Sequence, residues 1–293
     1  MGETAARFTL GHRRWIAPDG SAPAGLPSGL DDPALLERLS RAMLATGAFD
    51  RKAVALQRTG RLGTNAYSLG QEAVAVGLAA AVAVAAEEIG LPLAGARLAV
   101  QGFGAVGRHA ARCLLERGAV LVAASDRSGA IADPRGLDLA ALLALKAAGR
   151  PLAEHAGAER LRPEAILGVP CDIWIPAARP DVVDGGNAAR LQARIVAEGA
   201  NIPLTGEAEA ALHARGVLVL PDFIANAGGV ICAATEYAGG TEAEARALIA
   251  EKVAGNTRAV LEESRRAGSP PREAAMMLAQ RRLQAAMGLR RHR

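Results

Sequence analysis

The stretch Leu98-Ala99-Val100-Gln101-Gly102-Phe103-Gly104-Ala105-Val106-Gly107 joins a short apolar run directly to a G-x-G-x-x-G turn. The run predicts a buried strand. The residues after it, Arg108 to Arg117, predict a helix with Ala110, Ala111, Leu114 and Leu115 on one side and Gly118 as its stop. Each glycine has a separate reason to be there. Gly102 permits the tight strand-to-helix turn, Gly104 removes a side chain where backbone must approach a pyrophosphate, and Gly107 lets the helix pack close to the sheet. Phosphates then meet free N–H groups at the helix N-terminus, so the stretch reads as a dinucleotide cradle. A second apolar run, Ala119 to Ser125, delivers Asp126 at its carboxyl end, where a carboxylate can bind adenosine ribose hydroxyls. Asp126 repels a ribose 2′-phosphate and favours NAD, whereas the adjacent Arg127 accommodates one, so NADP stays open beside it.

Outward from this unit the chain alternates strand-like and helix-like segments, the mark of a parallel sheet covered on both faces. Candidate strands are Arg97 to Gln101, Ala119 to Ser125, Cys171 to Ile175, Arg194 to Glu198 and Val217 to Leu220. Helices are predicted at Leu137 to Ala148, Asn187 to Gln192 and Thr205 to Arg215, and two longer ones at Glu242 to Ala267 and Arg272 to Met287. The expected fold is α/β: a doubly wound, Rossmann-like parallel sheet closed by C-terminal helices and preceded by an N-terminal helical arm. Upstream, the first residues are rich in Gly, Pro and Ser, and Asp31-Asp32-Pro33 starts a helix predicted to run to Arg58. Gly60 to Gly63 breaks it, and an apolar helix from Gln71 to Glu88 is expected to be packed on several sides. Two domains follow from this pattern, 1–75 and 76–293.

Composition narrows the function classes. At 293 residues and 51% hydrophobic content the chain is globular. Its net charge of +4 is carried by arginine, since Lys52, Lys146 and Lys252 are the only lysines. Aromatic content of 3% offers no stacking platform, so no nucleic-acid partner is expected. Cys113, Cys171 and Cys232 are far apart without C-x-x-C spacing, and the histidines are scattered, so neither a disulfide frame nor a metal site is expected. Met1 to Leu10 lacks a signal-peptide core and Ala73 to Ala86 is too short to span a bilayer. The expectation is a cytoplasmic protein with no membrane partner.

Three segments fall just after candidate strands, at the edge where ligands of open α/β sheets bind. They are Pro176-Ala177-Ala178, Glu198-Gly199-Ala200-Asn201, and Pro221-Asp222 through Asn226-Ala227-Gly228-Gly229-Val230. Small residues let a flat ring approach, and an asparagine amide can bond a ribose or carboxamide. Each segment also reads as turn punctuation, because Asn and Gly favour turns for backbone reasons alone.

With the glycine turn, these motifs resemble the cofactor domain of the glutamate/leucine/phenylalanine/valine dehydrogenases, over about Val76 to Met287. The resemblance implies that Gly102, Gly104, Ala105 and Val106 line the pyrophosphate turn and that Asp126 holds the adenosine ribose. It further implies that Ala177 and Ala178 border the nicotinamide and that Asn201 and Asn226 anchor its ribose or carboxamide. The family oxidatively deaminates an L-amino acid to a 2-oxo acid with hydride transfer to NAD or NADP. Its catalytic lysines and aspartate, however, lie on a separate N-terminal domain. Lys52, Lys146 and Lys252 each read as solvated helix charges, so no catalytic residue is assigned.

The runs Phe49-Asp50-Arg51-Lys52, Leu56 through Thr64 and Gly70-Gln71-Glu72-Ala73 instead resemble the alpha subunit of thiamine-dependent 2-oxo acid dehydrogenases, over residues 7 to 81. The Gly-Asp-Gly motif that such proteins use to bind magnesium diphosphate is absent. The leading expectation is an NAD-binding domain of an amino-acid dehydrogenase, inactive alone and prone to form homo-oligomers. The alternatives are a catalytically silent NAD-binding regulatory protein and a fragment of a thiamine-dependent subunit.

Overall fold

Seven short strands hydrogen-bond into one sheet in the order β4-β3-β2-β1-β5-β6-β7. They are β1 (Arg97–Gln101), β2 (Val120–Asp126), β3 (Gly129–Ala132), β4 (Glu159–Leu161), β5 (Ile173–Pro176), β6 (Ile195–Ala197) and β7 (Leu218–Leu220). The structure, a computed structural model, describes residues 69–290 together with Asp32, Ala34, Leu35, Glu37 and Arg41. Most of the predicted N-terminal arm, including most of the helix expected from Pro33 to Arg58, therefore lies outside the described residues. The chain divides into two compact units, Met1–Asn65 and Ala66–Arg293. The boundary expected at 75/76 falls inside a continuous helix, α1 (Leu69–Glu88).

The strand β1 is central because it pairs in parallel with β2 on one side and β5 on the other. Its alternating side chains feed two cores, as the strand period requires. Leu98 and Val100 pack in one with Leu121, Ile173 and Ile175, and Ala99 in the other with Val122, Trp174 and Val196. The five strands read from the sequence form the parallel part. The expected doubly wound α/β fold is present, and β3 and β4, not read from the sequence, add an antiparallel edge to its parallel sheet. Those two strands escape a periodicity reading because Gly129-Ala130-Ile131-Ala132 is short and alanine-rich, and Glu159-Arg160-Leu161 shorter still.

The helices are α2 (Ala105–Leu115), α3 (Leu139–Ala147), α4 (Gly206–Ala214), α5 (Asp222–Ala225), α6 (Gly228–Tyr237), α7 (Glu242–Ala267) and α8 (Pro271–Arg290). The expected segment Asn187 to Gln192 is a single 3-10 turn, Ala188–Arg190. Apolar on all sides, α1 packs on α2, α6 and α7, which explains its near-continuous burial. The glycine-rich run after β7, read as a loop, instead forms α5 and the start of α6. Gly228 is there for packing: a Cβ would lie 1.9 Å from the Ala73 carbonyl oxygen of α1. No described helix is long and apolar enough to cross a membrane.

Candidate functional site

The chain winds to β2 on one side of β1 and to β5 on the other, so a crevice opens outside their carboxyl ends. The glycine turn occupies that edge. Gly102 has φ +91, and a Cβ there would lie 2.8 Å from Ala177 backbone atoms and from the Ala178 side chain. Its N–H donates to the Ser125 carbonyl at 3.0 Å, and the Phe103 N–H to the same oxygen at 2.6 Å, which ties the turn to the end of β2. Gly107 is buried, and a Cβ would stand 2.2 Å from the Gly102 carbonyl oxygen, so α2 can start here only without a side chain.

Gly104 is different. As N-cap of α2 it has φ −89, which any residue adopts, and a Cβ would meet nothing within 4 Å. It offers no side chain to cap α2, and the first N–H groups of a helix have no partner within it. Exposed N–H groups facing open space are what a pyrophosphate needs.

Beside the turn lies a cleft of about 500 Å³ whose lining includes Val106, Ala177, Ala178, Asn201 and Asn226. Five sequence-predicted residues from four segments thus converge. Asn226 Nδ2 donates to Asn201 Oδ1 at 2.8 Å, so the two amides act as one pair. Gly229, Val230 and the exposed Arg179 also line the cleft. Arg179 directly follows Ala178 and was open to reading from the sequence.

The predicted Asp126 stands apart from this cleft. Its side chain is 8% exposed and its Oδ2 accepts from Lys146 Nζ at 2.9 Å. Burial pushes its pKa up, but hydrogen bonds from Ser128 and Lys146 outweigh this and hold it below the usual range. Lys146, read as a solvated helix charge, is corrected to a half-buried partner of Asp126.

Beneath the amide pair lies a charge cluster that sequence reasoning missed. Arg272, from the first turn of α8, donates to Glu198 at 2.7 Å, Glu209 at 2.6 Å and Asp222 at 3.0 Å. Its guanidinium also sits 5.4 Å from the Phe223 ring centre. Asp222 in turn accepts from the Ile202 N–H at 2.8 Å, and holds that β-branched residue at φ 42, a costly conformation. Glu198 accepts from the Asp222 N–H at 2.9 Å. One arginine from a distant helix therefore fixes both loops that carry Asn201 and Asn226. Glu198 is fully buried, and its Oε1 has no partner among the described residues. Burial pushes its pKa up to about 8, aided by Glu209 and Asp222 against the opposing pull of Arg272.

A family model for Glutamate/Leucine/Phenylalanine/Valine dehydrogenase matches residues 44–291. The chain is 41% identical over 224 residues to the glutamate dehydrogenase of Aeropyrum pernix, covering 73% of this chain and 54% of that one. It is 34% identical to the NADP-specific glutamate dehydrogenase of Saccharolobus shibatae, covering 79% and 55%. The fold is similar to a hetero-hexameric glutamate dehydrogenase from Thermus thermophilus, with TM-score 0.68 and 33% identity over 75% of this chain and 53% of that one. The chain spans about half the length of the curated relatives it matches. None of these comparisons supports the resemblance of residues 7–81 to thiamine-dependent enzymes. The family match instead begins inside that segment.

Proposed function

This chain belongs to the glutamate/leucine/phenylalanine/valine dehydrogenase family, and from that premise we propose that it binds a nicotinamide dinucleotide across the crevice at the ends of β1 and β5. The observation that carries the reading is Gly104. Neither backbone conformation nor packing requires a glycine there, and the space it leaves open at the N-terminus of α2 is room for a bound ligand. Gly102, Gly104, Ala105 and Val106 would hold the pyrophosphate, with Gly107 setting the helix position. Ala177 and Ala178 would form the floor of the nicotinamide end, and the Asn201–Asn226 pair would fix a ribose or carboxamide by hydrogen bonds. When bound, the dinucleotide supplies a hydride acceptor for oxidising the Cα–N bond of an L-amino acid to a 2-oxo acid.

Among the described residues no lysine lines the cleft: Lys146 is paired with Asp126, and Lys252 is an exposed residue of α7. Deamination needs a base of lowered pKa beside the substrate carbon. This chain by itself is therefore proposed to bind dinucleotide without turning over amino acids, the remaining groups coming from a partner or further chain. The same observation favours a second reading, a silent dinucleotide-binding regulator. Turnover of any L-amino acid by the purified chain, abolished by Gly104→Asp, would exclude both the inactive-alone reading and the regulator. Calorimetric titration with NADH and NADPH tests the binding itself. Micromolar binding of at least one is expected, and failure of both overturns the proposal.

A further inference from the structure

The acid at the end of β2 is in the position where a Rossmann-like sheet meets adenosine ribose hydroxyls. In this chain it has no acceptor capacity left. A carboxylate offers about four lone-pair sites. Asp126 Oδ1 accepts from the Ser128 N–H at 2.9 Å and from the Ser128 hydroxyl. Oδ2 accepts from Lys146 Nζ at 2.9 Å and from the Leu152 N–H at 3.3 Å. These four bonds hold together the β2–β3 turn, α3 and the 3-10 turn at Leu152–Glu154. To reach a ribose, Asp126 would have to release one of them from a setting that is 8% exposed. Its negative charge is also cancelled at contact distance by the Lys146 ammonium, so the repulsion that would exclude a 2′-phosphate is largely removed.

The next residue is free to take up the role. Arg127 is exposed, has no ion-pair partner among the described residues, and occupies a two-residue turn between Asp126 and Gly129. That turn begins two residues beyond Ser125, whose hydrogen bond to Gly102 anchors the glycine cradle. Guanidinium is suited to a phosphate because its planar fork can make two parallel hydrogen bonds. We propose that Arg127, and not Asp126, reads the adenosine ribose, so that this chain accepts a ribose 2′-phosphate at least as readily as a free 2′-hydroxyl. Lys146 is then a positioning residue, acting through Asp126 on the sign of the charge at the turn. The inference rests on the dinucleotide-binding reading above.

The test is calorimetric titration of the full chain and of single variants with NADH and NADPH. Wild type should bind NADPH at least as tightly as NADH. Arg127→Ser, a surface change that leaves the fold alone, should weaken NADPH by about tenfold or more and NADH by less than about threefold. Lys146→Met should weaken NADPH selectively by uncovering the Asp126 charge, a shift in preference that a purely structural pair would not produce. Asp126→Asn should cost NADH less than about threefold. NADH bound more than about tenfold tighter than NADPH by wild type would overturn the inference while leaving the dinucleotide reading intact. So would an Arg127→Ser variant that loses both ligands equally. Binding of neither by wild type would sink both.

Discussion

At the scale of single residues, the three glycines of one short turn are required for three different reasons, and substitution can separate them. Gly107 is excluded from change by packing, because its Cβ would stand 2.2 Å from the Gly102 carbonyl oxygen. Gly107→Ala should therefore cost about 2–3 kcal/mol or more and lower Tm by roughly 5–10 °C. Gly104 has open space around its Cβ and ordinary backbone angles. An aspartate there is a good N-cap and complements the helix dipole, so Gly104→Asp should keep or slightly raise Tm. Its charge would stand where a pyrophosphate approaches, so NADH binding should disappear. Thermal unfolding and calorimetric titration of both variants check this. A Gly104→Asp protein that unfolds early, or still binds NADH, would show that the turn serves the fold alone. The spacing in the sequence suggests these three reasons, but only the neighbours of each glycine test them. Whether a missing Cβ makes room for a carbonyl or a ligand depends on neighbours such as Gly102 and Ala177.

At the scale of elements, local signals decided what was readable. The helix α7 carries a capping box, with Thr241 and Glu244 bonded reciprocally, and ends at Gly268 with φ 63. Its predicted bounds, Glu242 to Ala267, match the structure because both stops are written in the chain. For α5 and α6 the same reasoning failed, since Asn226-Ala227-Gly228-Gly229 looks like a loop until α1 is seen to press on Gly228. The role of α8 was also hidden, because Arg272 meets Glu198, Glu209 and Asp222 only through tertiary structure. Burial disfavours the Glu198 carboxylate and, with Glu209 and Asp222 beside it, outweighs the pull of Arg272, so its pKa is pushed up to about 8. In the unfolded chain it releases that proton near the ordinary carboxyl value of 4.5. Between these values the native state binds more protons, so this group's contribution is present at low pH and is lost as pH rises toward 8. His109 contributes the opposite slope, since burial holds its pKa below 6.5. The measurement is therefore a difference. Urea unfolding of wild type and Glu198→Gln from pH 5.5 to 8.5 should show the variant gaining about 3 kcal/mol on wild type across the range. A constant difference would mean that Glu198 stays ionised against Arg272 throughout.

At the scale of the whole molecule, the parallel part of the sheet and the cleft at its edge follow from motifs the sequence displays, whereas the outer surface follows from nothing local. A helix reads as amphipathic whether its apolar face meets the sheet or water. On α8, Met276, Leu283 and Met287 are 50%, 62% and 53% exposed, and their spacing places them along one face. Val230 and Tyr237 of α6 are exposed at 76% and 96%, and Val230 lines the cleft. Burying a side chain of this size on association contributes about 1.5–3 kcal/mol, so a few of them joined across a two-fold seam outweigh the cost of a weak dimer. The chain should therefore self-associate in solution, with the α8 face as the seam and the cleft left open to dinucleotide. Sedimentation velocity of wild type should show a concentration-dependent shift above the monomer. The pair Leu283→Glu and Met287→Glu should abolish that shift while leaving NADH or NADPH binding intact, because neither residue touches the cleft. A wild-type protein that sediments as a monomer at all concentrations would show that these side chains are simply tolerated in water. An oligomer untouched by the α8 changes would move the seam to α6, where association and dinucleotide access would compete for Val230.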